Sequence, residues 1–426
     1  MKKLMTMLIS LLALCACSND LDNPEPNPNP DPSPAPAPVP PVARRDIPLT
    51  DTQKLMASKN TGFAYHLFAE VSKSYPQPSN VIISPQSVNY ALSMLNNGAD
   101  GETKKEIMKV LGYDGFTDYD VIEYNQKMLY CSSRLDPEAS LVAANSIWLR
   151  EGLPVLPEFN KINKEAYASE VYPVDFAAPK TLQLINAWAS HYTEGSIPTV
   201  LDKINPQAAL YLLNAVSFKG RWDITFSKSA TQPGTFNNAD GTTTTVPMMY
   251  RSFNSVCMVG DKYNLLPLPY GNSAFSFYIL LPVKGETTAS VIAGLSEESW
   301  VNMFKNRAGY NVRLKLPRFN TNCNTNLCDI LKVLGMPSAF DAAKADFSRL
   351  STQAICISDA FQKSAIEVDE EGTKASSVTV VETMYTSAGP MELPEIDFFV
   401  DRPFVYMIRE TSTGAIFFMG EMNQIK

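Results

Sequence analysis

Along most of the chain, apolar residues recur at helical spacing in some stretches and alternate or crowd together in others. In NTGFAYHLFAEV, residues 60–71, Phe63, Leu67, Phe68 and Val71 share one helical face, which predicts a helix carrying His66 as a structural residue. A second helix is expected in SPQSVNYALSMLNNGA, with Ser84 suited to cap it and Pro85 at its first position. Val88, Ala91, Leu92 and Leu95 form its apolar stripe. Thr103 and Glu106 have capping-box spacing for the next helix, and Gly112 can end it. Strand-like runs follow: SLVAANSIWL, ALYLLNAVSFKG, FSFYILLP, YNVRLKLPRF, FVYMIRE and AIFFMGEM. The elements interleave irregularly, with no βαβ alternation and no repeat, so the expectation is one α+β domain over residues 46–426.

Two segments before residue 46 read differently. Lys2 and Lys3 precede an apolar run too short to cross a bilayer, which is the order of a secretory signal over residues 1–16. The run ends in LCAC, an ending similar to the lipobox of bacterial lipoproteins, which implies lipidation at Cys17. Residues 17–45 are then a linker, and PEPNPNPDPSPAPAPVPP within it is a polyproline II spacer reaching on the order of 50 Å. Lipid at one end and a folded body at the other make a tether. The acidic SNDLDN after Cys17 resembles export signals of surface lipoproteins, so the expected location is the bacterial outer membrane, facing the cell surface or the periplasm.

The formal net charge of −8, without a Lys/Arg cluster, argues against nucleic acid as a partner. Only two histidines are present, His66 and His191, and GxSxG, HExxH, Walker and GxGxxG motifs are missing, so no catalytic residue, metal or cofactor is expected. Adjacent Glu370 and Glu371 would point to opposite faces of an extended chain and form no acid–base pair. Of the cysteines beyond residue 17, Cys323 and Cys328 leave open a small loop disulfide.

The stretch DEEGTKASSVTVVETMYTSAGP, residues 369–390, favours pleated backbone yet lacks the large apolar side chains of a core strand. Thr373, Ala375, Ser377, Thr379, Val381 and Thr383 share one parity, all small or β-branched, whereas Lys374 and Glu382 fall on the other. Such a strand could slide into a sheet with its small face inward.

Several stretches are similar, in order, to the serpin family of protease inhibitors. NVIISPQSVNYALSMLNNGADGETKKEI, NAVSFKGRW, RFNTNCNTNLCDILKVLGMPSAFDAAKADFSRLS and FFVDRPFVYMI carry the resemblance, and EEGTKASS resembles the hinge of the family's reactive loop. The resemblance implies three β-sheets, eight to nine helices and an exposed reactive centre loop. It also implies a suicide substrate that traps a serine or cysteine endopeptidase as an acyl-enzyme while the cut loop enters the main sheet. Glu370, Glu371, Gly372, Thr373, Ala375, Ser376 and Ser377 would form the hinge, Gly372 lending flexibility. Counting from the hinge implies cleavage at Thr386-Ser387, with Met384 and Tyr385 as bait. Counting back from Arg402 leaves Glu392-Leu393 open. No basic residue lies at the bait, which implies chymotrypsin-, elastase- or subtilisin-like targets. Ser84, Ser87 and Asn214 match a polar cluster under the sheet, Gln362 stands where the family usually has histidine, and Trp222 matches the breach where insertion begins. The segment resembling the family's heparin-binding helix is acidic, so no heparin site is expected. A monomer is expected, and the alternative is a non-inhibitory serpin serving as a surface binding protein.

Overall fold

The computed structural model describes residues 42–195, 197–373 and 393–426, all within one body running from Pro41–Lys426. The described strands form two hydrogen-bonded sheets. The larger contains β1 (Val81–Ile83), β5 (Gln232–Asn237), β6 (Thr243–Met258), β7 (Tyr263–Pro269), β8 (Phe275–Pro282), β9 (Arg307–Pro317), β13 (Glu395–Phe399), β14 (Phe404–Glu410) and β15 (Ile416–Met422). The smaller contains β2 (Ala139–Arg150), β3 (Glu170–Val174), β4 (Leu210–Arg221), β10 (Phe319–Asn326), β11 (Asp359–Val368) and β12 (Gly372–Thr373), in the order β10-β11-β12-β4-β2-β3. Three sheets were expected from the resemblance. Here the 16-residue β6 pairs with β5 and β9 along its length and with β7 at Met258, so two of them are joined through one strand.

Nine α-helices occur among the described residues: α1 (Asp51–Ser74), α2 (Pro85–Asn96), α3 (Gly101–Val110), α4 (Asp118–Ser132), α5 (Pro157–Tyr167), α6 (Pro179–Tyr192), α7 (Thr288–Ala293), α8 (Glu297–Lys305) and α9 (Cys328–Leu334). The stripe of α1 is buried as its spacing requires, and His66 points to solvent. Ser84 holds the N-cap position of α2 behind Pro85, but its hydroxyl makes no capping bond. The third helix begins earlier than its capping-box spacing suggests. Asp100 caps it, whereas Thr103 and Glu106 turn outward from the helix to accept hydrogen bonds from Asp346 and Ser338. Tertiary partners thus claim side chains that look like local caps. Gly112, at φ 74°, closes α3 as expected.

The principal core lies between the sheets and α1 to α5, and takes in Leu210, Leu212 and Phe218 from one face of β4. On the other face, Tyr211 and Leu213 join Trp148, Ile185 and Trp188, so that α6 covers the smaller sheet from outside. Cys323 and Cys328 are both free thiols, so the disulfide left open by their spacing does not form. Burial pushes the Cys328 thiol up to about 11.

Candidate functional site at a seam in the smaller sheet

Strands β11 and β4 run parallel and pair directly from Asp359↔Tyr211 to Ser364↔Val216. Above that point they part, and the two-residue strand β12 occupies the opening. It pairs antiparallel with both neighbours, Thr373 facing Val368 on one side and Gly220 on the other. The sheet is therefore closed along its lower seam and already entered at its upper end.

The sequence predicts this hinge in an exposed loop, and at the described hinge residues Gly372 and Thr373 the structure differs. Gly372 and Thr373 are buried, and Thr373 is 0% exposed. Its hydroxyl shares a 2.6 Å hydrogen bond with the Tyr270 phenol, which lies in the principal core. Residues paired in register share a face, so Thr373 projects to the same side as Val368 and Phe218. The inward parity inferred for Thr373 is thus the observed one. The reason for Gly372 also differs from the flexibility expected of it. A Cβ there would stand 2.0 Å from the carbonyl oxygen of Gly220, so close backbone approach excludes any side chain.

A tight turn joins β11 to β12 and is held from several directions. The Asp369 carboxylate accepts the backbone N–H groups of Glu371 and Gly372 at 2.8 and 3.1 Å. Trp222, 1% exposed, donates its indole N–H to the Asp369 carbonyl and its backbone N–H to the Glu371 carbonyl, each at 2.9 Å. Its ring stacks on Tyr270 with centroids 4.6 Å apart. The resemblance implies a breach position for Trp222; here its indole and backbone N–H groups hold the turn between β11 and β12. Glu370, 2% exposed, accepts both carboxylate contacts from Arg318, at 2.7 and 2.9 Å, and a 2.6 Å bond from Thr231. Burial pushes its carboxyl up, but these donors outweigh burial and hold it below its ordinary value. Glu371 turns away to Lys228 at 2.6 Å. The two glutamates are divided between separate partners.

Under the closed seam lies the polar cluster. Gln362, on the core face of β11, accepts the Ser84 backbone N–H at 2.7 Å and donates to the Ser84 carbonyl at 3.0 Å. The Ser364 hydroxyl donates to the same amide oxygen at 3.2 Å. Gln362 faces Asn214 across the seam, and Asn214 faces Asn145 of β2. The backbone of Asn214 is therefore at the seam, although its side chain lies outside the described residues. Ser84 and Ser87 are both buried at the start of α2. Glutamine does what the expected histidine would, offering donor and acceptor at once, and it carries no titrating proton.

Between β12 and the closed seam lies a cavity of about 220 Å³, lined by Ser217 and Phe218 of β4, Ala365, Ile366 and Glu367 of β11, and three residues of β10. Continuing the register of Thr373 downward would set the next residues against Glu367, Ile366 and Ala365 on one side and Lys219, Phe218 and Ser217 on the other. The opening thus admits about three more residues before the first seam pair, Ser364↔Val216, blocks the way.

The sequence did not single out Arg318, Thr231 or Tyr270, because each acts across a long sequence separation, nor Asp369, whose carboxylate caps the turn locally while its carbonyl is reached by Trp222 from far along the chain. Gly220 did carry a signal, a glycine inside a strand, which flags close backbone approach. Residues Cys17, Ala375, Ser376, Ser377, Met384, Tyr385, Thr386 and Ser387 lie outside the described residues.

The family model described as Serpin (serine protease inhibitor) matches residues 58–425. Glia-derived nexin of Mus musculus is 34% identical over 379 residues, covering 86% of this chain and 92% of that protein. The native thermophilic serpin Tengpin is similar in structure with a TM-score of 0.79 and 29% identity, covering 90% of this chain and 97% of that one. Thyroxine-binding globulin in its complex with thyroxine is similar with a TM-score of 0.78 and 26% identity, covering 87% of this chain and 99% of that one.

Proposed function

The chain belongs to the serpin family, and from that premise we propose that it is a suicide-substrate inhibitor of serine endopeptidases, cysteine endopeptidases being a secondary class. The observation that carries the proposal is the entry of Gly372 and Thr373 between β11 and β4, above a seam that is still closed.

In this reading a protease attacks the bait at Thr386-Ser387. Its serine oxygen bonds to the Thr386 carbonyl carbon, and the amine of Ser387 leaves with the C-terminal segment. The freed end is no longer held at residues 393 onward, so the chain from Thr373 can continue downward as a strand. Gly372 and Thr373 need not find the sheet, because they are already in it. Water must reach the acyl-enzyme before the strand finishes entering. If insertion is faster, the protease is carried along the sheet and its oxyanion hole is deformed, which removes the stabilisation that deacylation requires. The chain supplies no catalytic group of its own.

Thr386 as the bond donor and Met384 and Tyr385 beside it suit chymotrypsin-, elastase- or subtilisin-like enzymes. We further propose that Cys17 is lipidated and that residues 17–45 tether the body to an outer membrane, where it acts on proteases met at the surface or in the periplasm.

The test is to incubate the folded body with a panel of such proteases, run denaturing gels and weigh the released peptide. A denaturation-resistant band with a serine enzyme supports trapping, and a peptide beginning at Ser387 fixes the bond. Cleavage with no trapped complex across the panel would overturn the proposal. It would favour a binding protein, the role carried on this fold by thyroxine-binding globulin, which was solved with its ligand.

A further inference from the structure

We propose that Arg44-Arg45 is a processing site at which a trypsin-like endopeptidase cuts the tether and releases the folded body in active form. This rests on the tether reading, and it adds a modification site where the linker meets the domain.

Three observations carry it. The first is where basic residues fall. After Lys3 the next basic residues in the chain are Arg44 and Arg45, and the intervening segment is dense in proline, a poor substrate for most endopeptidases. An Arg-directed enzyme therefore has one place to cut between Cys17 and the body.

The second is local structure. Residues 42–46 are exposed and belong to no helix or strand. Among the described residues their side chains make a 3.0 Å ion pair between Arg44 and Asp46, both well exposed, too weak to hold the chain from a protease cleft. Among the described residues burial begins at Ile47, 5% exposed, whose backbone N–H donates to the Ser412 hydroxyl at 3.0 Å. A cut after Arg44 leaves Ile47 and everything beyond it in place. It also keeps the buried residue further from the scissile bond than a cut after Arg45 would, so Arg44-Arg45 is the favoured bond. Hydrolysis adds water across it, leaving a carboxylate on Arg44 and a new amino terminus on Arg45.

The third is compatibility with the inhibitor's own chemistry. No Lys or Arg occurs between Ala375 and Asp401, so a trypsin-like enzyme finds no bond in the bait stretch and is not consumed by the molecule it releases. The enzymes that the bait invites and the enzyme that would free the body are of different specificity.

The experiment uses the full chain in isolated bacterial membranes, treated with dilute trypsin, followed by N-terminal sequencing of the soluble product and assay of its trapping activity. The expected product begins at Arg45 and inhibits as before. An Arg44→Gln/Arg45→Gln double variant is expected to be released at least tenfold more slowly. A product beginning elsewhere, nicking of the body before release, or equal release of the double variant overturns the site. If the untreated protein is already soluble, the lipid anchor reading falls by itself, and the sequenced terminus still decides the cleavage.

Discussion

At the scale of single residues, the proposed function rests on what the hinge can bury. Thr373 is enclosed, bonded to Tyr270 and turned toward the core, so Thr373→Arg places an unpaired charge where it costs several kcal/mol. The variant is expected to be cut as a substrate rather than to trap, with the stoichiometry of inhibition raised many-fold. A stoichiometry equal to that of the unmodified protein would reject the inward face assigned to Thr373. Gly372→Ala acts one residue earlier and by sterics alone, since its Cβ would meet the Gly220 carbonyl at 2.0 Å. The hinge must then leave its slot. Trp222, which donates to the carbonyls of Asp369 and Glu371, should report this as a red-shifted emission in the native state. Unchanged fluorescence would mean that the backbone there can give way at small cost.

At the scale of elements, the turn between β11 and β12 acts as a latch. Glu370 is buried against Arg318 and Thr231, and its carboxyl lies below the ordinary 4.5. A depressed carboxyl contributes stability that is present above the ordinary value and is lost as pH falls through the depressed one. The latch is therefore whole at neutral pH and should loosen only below about pH 4.5. Hydrogen exchange of the Glu371 and Gly372 amides should quicken there, and Arg318→Ala should shift that onset to higher pH. At the seam, Gln362 predicts the opposite of a pH switch. Gln362→His is expected to introduce a pH dependence between about 5 and 8 into the rate of strand insertion, whereas the natural protein stays flat over that window. A flat profile in the variant would show that this side chain does not govern seam opening.

The sequence reached some of these elements better than others. Strand runs such as FSFYILLP and FVYMIRE coincide with β8 and β14, because a continuous apolar run bounded by turn residues has few alternative structures. The inserted hinge was not legible. Glycine and threonine after two glutamates read locally as loop, and only the partners Gly220, Tyr270 and Arg318, far along the chain, make those positions strand. Likewise Thr103 and Glu106 have the spacing of a local cap, yet Asp346 and Ser338 take them.

At the scale of the whole molecule, the seam sets a thermodynamic imbalance. Direct pairing of β11 with β4 is parallel, while every strand entering between them replaces that contact with two antiparallel ones, the more stable arrangement. About three residues can follow Thr373 without disturbing the seam, and each further residue must unzip one of the six parallel pairs, beginning at Ser364↔Val216. Those six are recovered with surplus once a strand of about ten residues has bonded on both sides, a net gain on the order of ten hydrogen bonds at roughly 1 kcal/mol each. On the proposed mechanism the native arrangement is held by a barrier at the seam rather than by being the lowest state. Cutting the bait stretch with a metalloprotease, which forms no acyl-enzyme, should release this difference without trapping anything. The cleaved protein should unfold on the order of 10 °C or more above the intact one, given the entropy of unfolding of a chain this long. Thr373→Arg, cleaved in the same way, should show little of that rise, because its strand stops at the first inserted position. A cleaved natural protein that melts with the intact one would mean that no strand enters, and the inhibitory reading would fall with it.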